Sequence, residues 1–191
     1  MGAFTDAEIE FVNSQRLGRL ATVGADDMPH VIPVAIFYDP DAEALVIGAN
    51  AEFGEAVMSS SKKFRDAQRR PKVAVVIDDP GPRILEVRGQ AETHLAGGED
   101  AGRRLGAPFR FAPAWIRVRP RRIVAVGING GPFESSARNV TSDLKIRSRQ
   151  VRGTHHHYLS RLSPRRQPRR EFDAVCAQSD KDRAGLVSCI R

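Results

Sequence analysis

Apolar and polar positions change over in short runs through the first two thirds of the chain, a pattern of strands rather than long helices. Leu-Gly-Arg-Leu-Ala-Thr-Val over residues 17–23 predicts a first strand, and Gly24-Ala25-Asp26-Asp27 supplies the turn that ends it. Residues 30–38 are apolar on both faces apart from His30, so a second strand, central and covered on both sides, is expected. Pro33 inside it offers no ladder N–H and predicts a bulge or a gap in pairing. Further strands are expected over 44–48, 73–78, 84–93 and 116–128, the last alternating basic with apolar residues. Residues 96–114 form a poorly patterned connection.

Two helices interrupt the strands. Thr5-Asp6-Ala7-Glu8 is a capping box that opens a short helix through Ile9, Phe11 and Val12. Ser61 heads a basic, helix-prone segment that Pro71 stops. Six strands, an N-terminal helix and an inserted helix predict an α+β domain that is mostly β, built on a small six-stranded antiparallel barrel.

Charge alters the picture less than its size suggests. The 191-residue chain carries a formal +7, which invites a nucleic-acid reading. Residues 1–138 hold as many acidic as basic side chains, however, so the whole excess lies in 139–191. That segment has little periodicity, contains Pro-Arg-Arg-Gln-Pro-Arg-Arg, and reads as a basic, disordered tail behind a 1–138 domain. A nucleic-acid partner is not expected. Cys176 and Cys189 lie in the tail without a CxxC pattern, which argues for neither zinc nor a disulfide framework. His155-His156-His157 in a flexible segment does not make a fixed metal site, so no metal is expected. No apolar run approaches the roughly 18 residues of a membrane span, and the start lacks signal-peptide patterning. A cytoplasmic protein is expected.

The strongest chemical candidate is Ser59-Ser60-Ser61-Lys62-Lys63-Phe64-Arg65-Asp66. Lysines in a first helical turn oppose the helix dipole, and an anion bound there removes the conflict. Ser61, Lys62, Lys63 and the free amides then form a phosphate cradle. The competing reading is an exposed basic helix start that binds nothing. No GxGxxG after a strand, GxxxxGK[ST], HExxH or GxSxG is present. Asp26-Asp27 and Asp78-Asp79 fall in predicted turns, where aspartate is ordinary.

Leu17-Gly18-Arg19-Leu20-Ala21-Thr22, Pro29-His30-Val31-Ile32-Pro33-Val34, Ser61-Lys62-Lys63-Phe64-Arg65-Asp66 with Pro71, and Val87-Arg88-Gly89-Gln90-Ala91-Glu92 follow one another in an order that resembles the flavin and deazaflavin oxidoreductases of split β-barrel fold, the pyridoxamine-phosphate-oxidase-like superfamily. The segment Ile116-Arg117-Val118-Arg119-Pro120-Arg121-Arg122-Ile123-Val124 is similar to its actinobacterial branch, which uses the deazaflavin coenzyme F420. Within that branch the similarity runs to the group containing the reductase of late tetracycline biosynthesis. The resemblance covers about residues 4–130 and no part of the tail.

The resemblance implies that Lys63 contacts the cofactor phosphate with Ser61 and Lys62 beside it, Asp66 standing where relatives carry asparagine. It implies that Val31, Ile32, Pro33 and Val34 lie against the tricyclic ring, and that Gly48 permits its close approach. The activity implied is F420H2-dependent delivery of hydride to a conjugated C=C or enone, of the dehydrotetracycline type. An FMN-dependent oxidoreductase of the same fold is the alternative, and a non-catalytic cofactor-binding module a further one. A small barrel does not enclose a tricycle alone, so a homodimer with sites at the subunit interface is expected. No proton donor is identifiable. Trp115, the only tryptophan, is expected in core or interface in preference to a pocket wall.

Overall fold

Thr5 caps the first helix as its spacing predicts: its hydroxyl accepts from the Glu8 amide (3.2 Å) and the Glu8 carboxylate accepts from the Thr5 amide (3.1 Å). This computed structural model describes residues 2–141. Nearly all of the predicted tail, with Cys176, Cys189 and His155–His157, lies outside the described residues. In chain order the elements are α1 (Asp6–Ser14), β1 (Leu17–Val23), β2 (Pro29–Asp39), β3 (Ala44–Gly48), α2 (Lys62–Arg69), β4 (Lys72–Asp78), β5 (Ile84–His94), α3 (Gly98–Arg104), β6 (Trp115–Val126) and β7 (Ser135–Asn139).

The strands run in the order β3-β2-β1-β4-β5-β6-β7, and a further β3–β6 pairing closes the first six into an antiparallel barrel. β6 divides its outer edge between two partners. Ile116–Val118 pairs with β3, whereas Arg122–Val126 pairs with β7. β7 was not expected, because Ser-Ser-Ala-Arg-Asn has no apolar alternation. It forms because β3 leaves the second half of β6 with an open edge that another strand can satisfy.

The barrel interior holds Leu20, Val34, Ile36, Leu45, Ile47, Val75, Leu85, Val87, Ile116 and Ile123 among others. A second cluster lies outside it, where Phe111, Trp115 and Ala101 cover Val46 and Phe37. β3 is therefore buried on both faces, which explains its unbroken apolar run. α3, absent from the sequence-based expectation, lies within this outer layer; its sequence Gly-Glu-Asp-Ala-Gly-Arg-Arg has no side-chain cap and two glycines. Tertiary contact replaces local propensity there. Arg104 binds Asp39 through both carboxylate oxygens (2.8 and 2.7 Å), and the Phe111 ring fills the space that a Cβ on Gly102 would take.

β2 corrects one expectation. It is central, but it is covered on both sides only in its second half; Val31 is 61% exposed and Pro33 is exposed too. The β1–β2 register runs unbroken through Pro33↔Arg19, so there is no bulge. The gap in pairing is on the other edge, since β3 ends at Gly48 opposite Ala35.

Candidate cofactor site

The Ser61 side chain caps α2, accepting from the Phe64 amide (3.3 Å) while donating to the Met58 carbonyl (2.6 Å). Its single proton is thereby committed, and it has none to give an anion. Lys62 is engaged as well: its ammonium donates to Asp66 one turn on (2.9 Å). Buried Asp66 also accepts from the Thr22 hydroxyl (3.2 Å), and the His30 ring lies 4.0 Å away. Burial alone would raise the Asp66 carboxyl, but the bonds from Lys62 and Thr22 hold it below the usual carboxylate range. Lys62 is thus the cation that pairs with Asp66, while Arg65 turns to the Ser60 carbonyl.

Lys63 differs from its neighbour. It is half-buried, and among the described residues it has neither a hydrogen-bond nor an ion-pair partner. Desolvation pulls its ammonium below the usual lysine range. The Lys62 and Lys63 amides precede the first backbone bond of the helix, Arg65 N–H to Ser61 carbonyl (3.2 Å), and so belong to the unsatisfied first turn. One desolvated cation and two first-turn amides remain available to an anion; Lys62 keeps the N–H donors that Asp66 does not use, and Ser61 has no proton left to give.

Along β2, Ile32 and Val34 point into the barrel while Val31 and Pro33 point out. Over Pro29–Val34 only the β1 side of the backbone is laddered. The opposite edge thus leaves backbone N–H and C=O groups outside the ladder. Gly48 is constrained by its own chain as well. A Cβ there would run into the Phe111 ring, so glycine is required by packing within the chain. Two cavities, of about 610 and 480 Å³, open beside β2: the first between β1, β4 and β5, the second between α1, β2 and the segment after α3. Neither is lined by Ser61, Lys62, Lys63, Val31, Ile32, Pro33, Val34 or Gly48.

These features are found on a recognisable chain. Residues 4–129 match the family described as pyridoxamine 5'-phosphate oxidase. The protein belongs to that family. A 5a,11a-dehydrotetracycline/5a,11a-dehydrooxytetracycline reductase of Streptomyces rimosus subsp. rimosus is 36% identical over 142 residues, 73% of this chain and 95% of the reductase. Among solved structures, HupZ of Group A Streptococcus superposes with a TM-score of 0.54 at 18% identity, over 68% of this chain and 98% of that one. General Stress Protein 26 of Bacillus anthracis gives 0.50 at 19%, over 71% and 97%. Both structures share the fold.

Three groups that sequence reasoning missed or misplaced are structural. Asp39, at the end of β2, is buried; the Arg104 hydrogen bonds outweigh its desolvation and hold its carboxyl low. Arg104, within the connection that showed no pattern in sequence, is its partner. Glu8 is wholly buried, and although burial alone would raise it, bonds from Arg138 and Asn129 (2.7 and 2.8 Å) and from Thr5 keep it below the usual range. Only the Thr5–Glu8 spacing signals that network in sequence. Trp115 is core: it donates to the Ala96 carbonyl (3.0 Å) and stacks on His94 at 4.1 Å. Among the described residues no helix is long and apolar enough to cross a membrane, and no acidic, His or Cys cluster suits a metal.

Proposed function

We propose that this protein is an F420H2-dependent reductase acting on a conjugated C=C of a polycyclic enone, of the dehydrotetracycline type. The observation that carries the reading is Lys63, a half-buried ammonium with no counter-charge among the described residues. A phosphate supplies that counter-charge, and the Lys62 and Lys63 amides supply further donors to it. The open edge of β2 offers backbone groups to the pyrimidine side of a tricycle, while Val31 and Pro33 give its ring an apolar seat. The chemistry the bound group supplies is hydride donation to an electron-poor carbon; the chain's part is to position that carbon and exclude water. The substrate class is supported by the likeness to the Streptomyces reductase.

A homodimer fits the same face. Leu17 and Val31 are 57% and 61% exposed on one outer surface, and a second copy laid there would cover them and complete the seat. FMN is the second reading, favoured by the family's name. A fluorescence titration of the purified chain with F420 and, separately, with FMN tests the cofactor. Micromolar or tighter F420 binding is expected, with Lys63→Ala weakening it by about 1–3 kcal/mol while leaving the melting temperature unchanged. FMN preference moves the protein to the second reading, and unchanged F420 affinity in Lys63→Ala removes the lysine from the site.

A further inference from the structure

We infer that the 480 Å³ cavity between α1, β2 and the segment after α3 is the substrate-binding subsite, shaped for a flat, anionic polycycle. The inference deepens the proposed reductase reading and rests on it. Its size falls within the about 300–1,000 Å³ of small-molecule sites. Its position follows from strand geometry. Val31, Pro33, Ala35 and Phe37 share the outward face of β2, and Ala35 and Phe37 line the cavity. At about 3.3 Å per residue, Ala35 lies roughly 7 Å beyond Pro33 on the same face as the proposed ring seat. A ligand in the cavity is therefore neighbour to a ring on Pro33.

Its walls are chiefly aromatic and aliphatic, with Asn13 and Gln15 at the α1 end. Phe37 and Phe109 meet edge-to-face with centroids 6.1 Å apart, and Phe109 stacks on buried Phe111 at 5.5 Å. Leu17 and Leu105 complete the apolar lining. The backbone just after Phe109 is anchored twice to the segment that follows β3, by Ala51 N–H to the Arg110 carbonyl (2.9 Å) and Ala112 N–H to the Ala49 carbonyl (2.8 Å). The wall is thus preformed, which favours a rigid planar ligand over a flexible one.

Charge completes the case. Arg16 lines the cavity, is exposed, and has no hydrogen-bond or ion-pair partner among the described residues. An apolar slot with one free guanidinium at its rim suits a fused-ring ligand carrying an enolate or phenolate oxygen.

The test is equilibrium dialysis of the full chain, with and without F420, against oxytetracycline and against uncharged anthraquinone. Leu105→Trp, which fills the cavity, should weaken both probes about tenfold or more, as loss of a central contact does. Arg16→Gln, on the surface and harmless to folding, should weaken oxytetracycline several-fold and leave anthraquinone unchanged. F420 affinity should stay the same in both variants. Failure of the cofactor reading would appear as absent F420 binding with these probe effects intact. Probe affinities unmoved by both substitutions would overturn the subsite, as would a change in oligomeric state in Leu105→Trp, which would make the cavity a seat for a second copy.

Discussion

On the α3 side of the barrel, β3 is buried on both faces, the Phe111 ring occupies the space left by Gly48 and Gly102, and buried Asp39 meets Arg104 through both oxygens. On the α2 side, Val31 and Pro33 stand uncovered, half of the β2 backbone has an open edge, and Lys63 carries a desolvated charge without a counter-charge among the described residues. The same strand, β2, passes through both regions. Where the chain supplies its own cover, the buried Asp39 carboxylate is matched and small residues are explained by neighbours, although the buried Nε2 of His94 and Nε of Arg117 beside Trp115 have no hydrogen-bond partner among the described residues. On the other side, an uncovered apolar surface and an open strand edge accompany the unpartnered cation, and that combination is what the proposed cofactor site rests on.

The contrast can be broken most forcefully at Phe111. Phe111→Ala should cost about 3–5 kcal/mol in urea unfolding, the scale for truncating a buried aromatic. Gly48→Ala alone should cost about 1–3 kcal/mol, and much less in the Phe111→Ala background, because the clash is gone. Additive costs would show that Gly48 has another constraint, such as the ligand approach first expected for it.

Arg104→Ala comes next, at about 2–3 kcal/mol, allowing for a guanidinium that is partly solvated; it leaves a buried carboxylate unpaired. Its pH dependence has a definite sign. Asp39 and Glu8 are held low in the folded state, so their stabilisation is full above the ordinary carboxylate range and is lost as pH falls through their depressed values. Acid titration of unfolding should therefore be shallower in Arg104→Ala than in the wild type. Equal slopes would exclude Asp39 as a contributor.

The smallest effect is expected on the α2 side. Val31→Ser should alter the stability of the isolated chain by no more than about 0.5 kcal/mol, as at an uncovered surface. In sedimentation experiments it should nevertheless weaken self-association. A large loss of stability with no change in association would show that Val31 is already packed within one chain.

The same contrast explains what could be read from sequence. α1, β1 and β3 appear at their expected positions because a reciprocal cap, a turn after alternating residues and a doubly buried apolar run are local signals. β7 and α3 are missed because neither is specified locally: one takes the spare edge of β6, the other depends on Asp39 and Phe111. At the candidate site, the serine cap and the odd placement of two lysines were visible. The Lys62–Asp66 pair follows the i,i+4 spacing of a helix and was legible too, whereas the further bond that Thr22 of β1 gives to Asp66 and the half-burial of Lys63 are tertiary and have no local signal.

The shared edge of β6 has a consequence for synthesis on the ribosome. β3 pairs with β6 through Leu45↔Val118, so β3 emerges about seventy residues before its second neighbour. At about 5–20 residues per second, that strand waits several seconds with one side bare. It is also the most uniformly apolar strand of the barrel, the kind of edge that invites pairing with another nascent chain. Translation pauses between residues 49 and 115 should therefore lower the yield of folded protein more than pauses placed after β6.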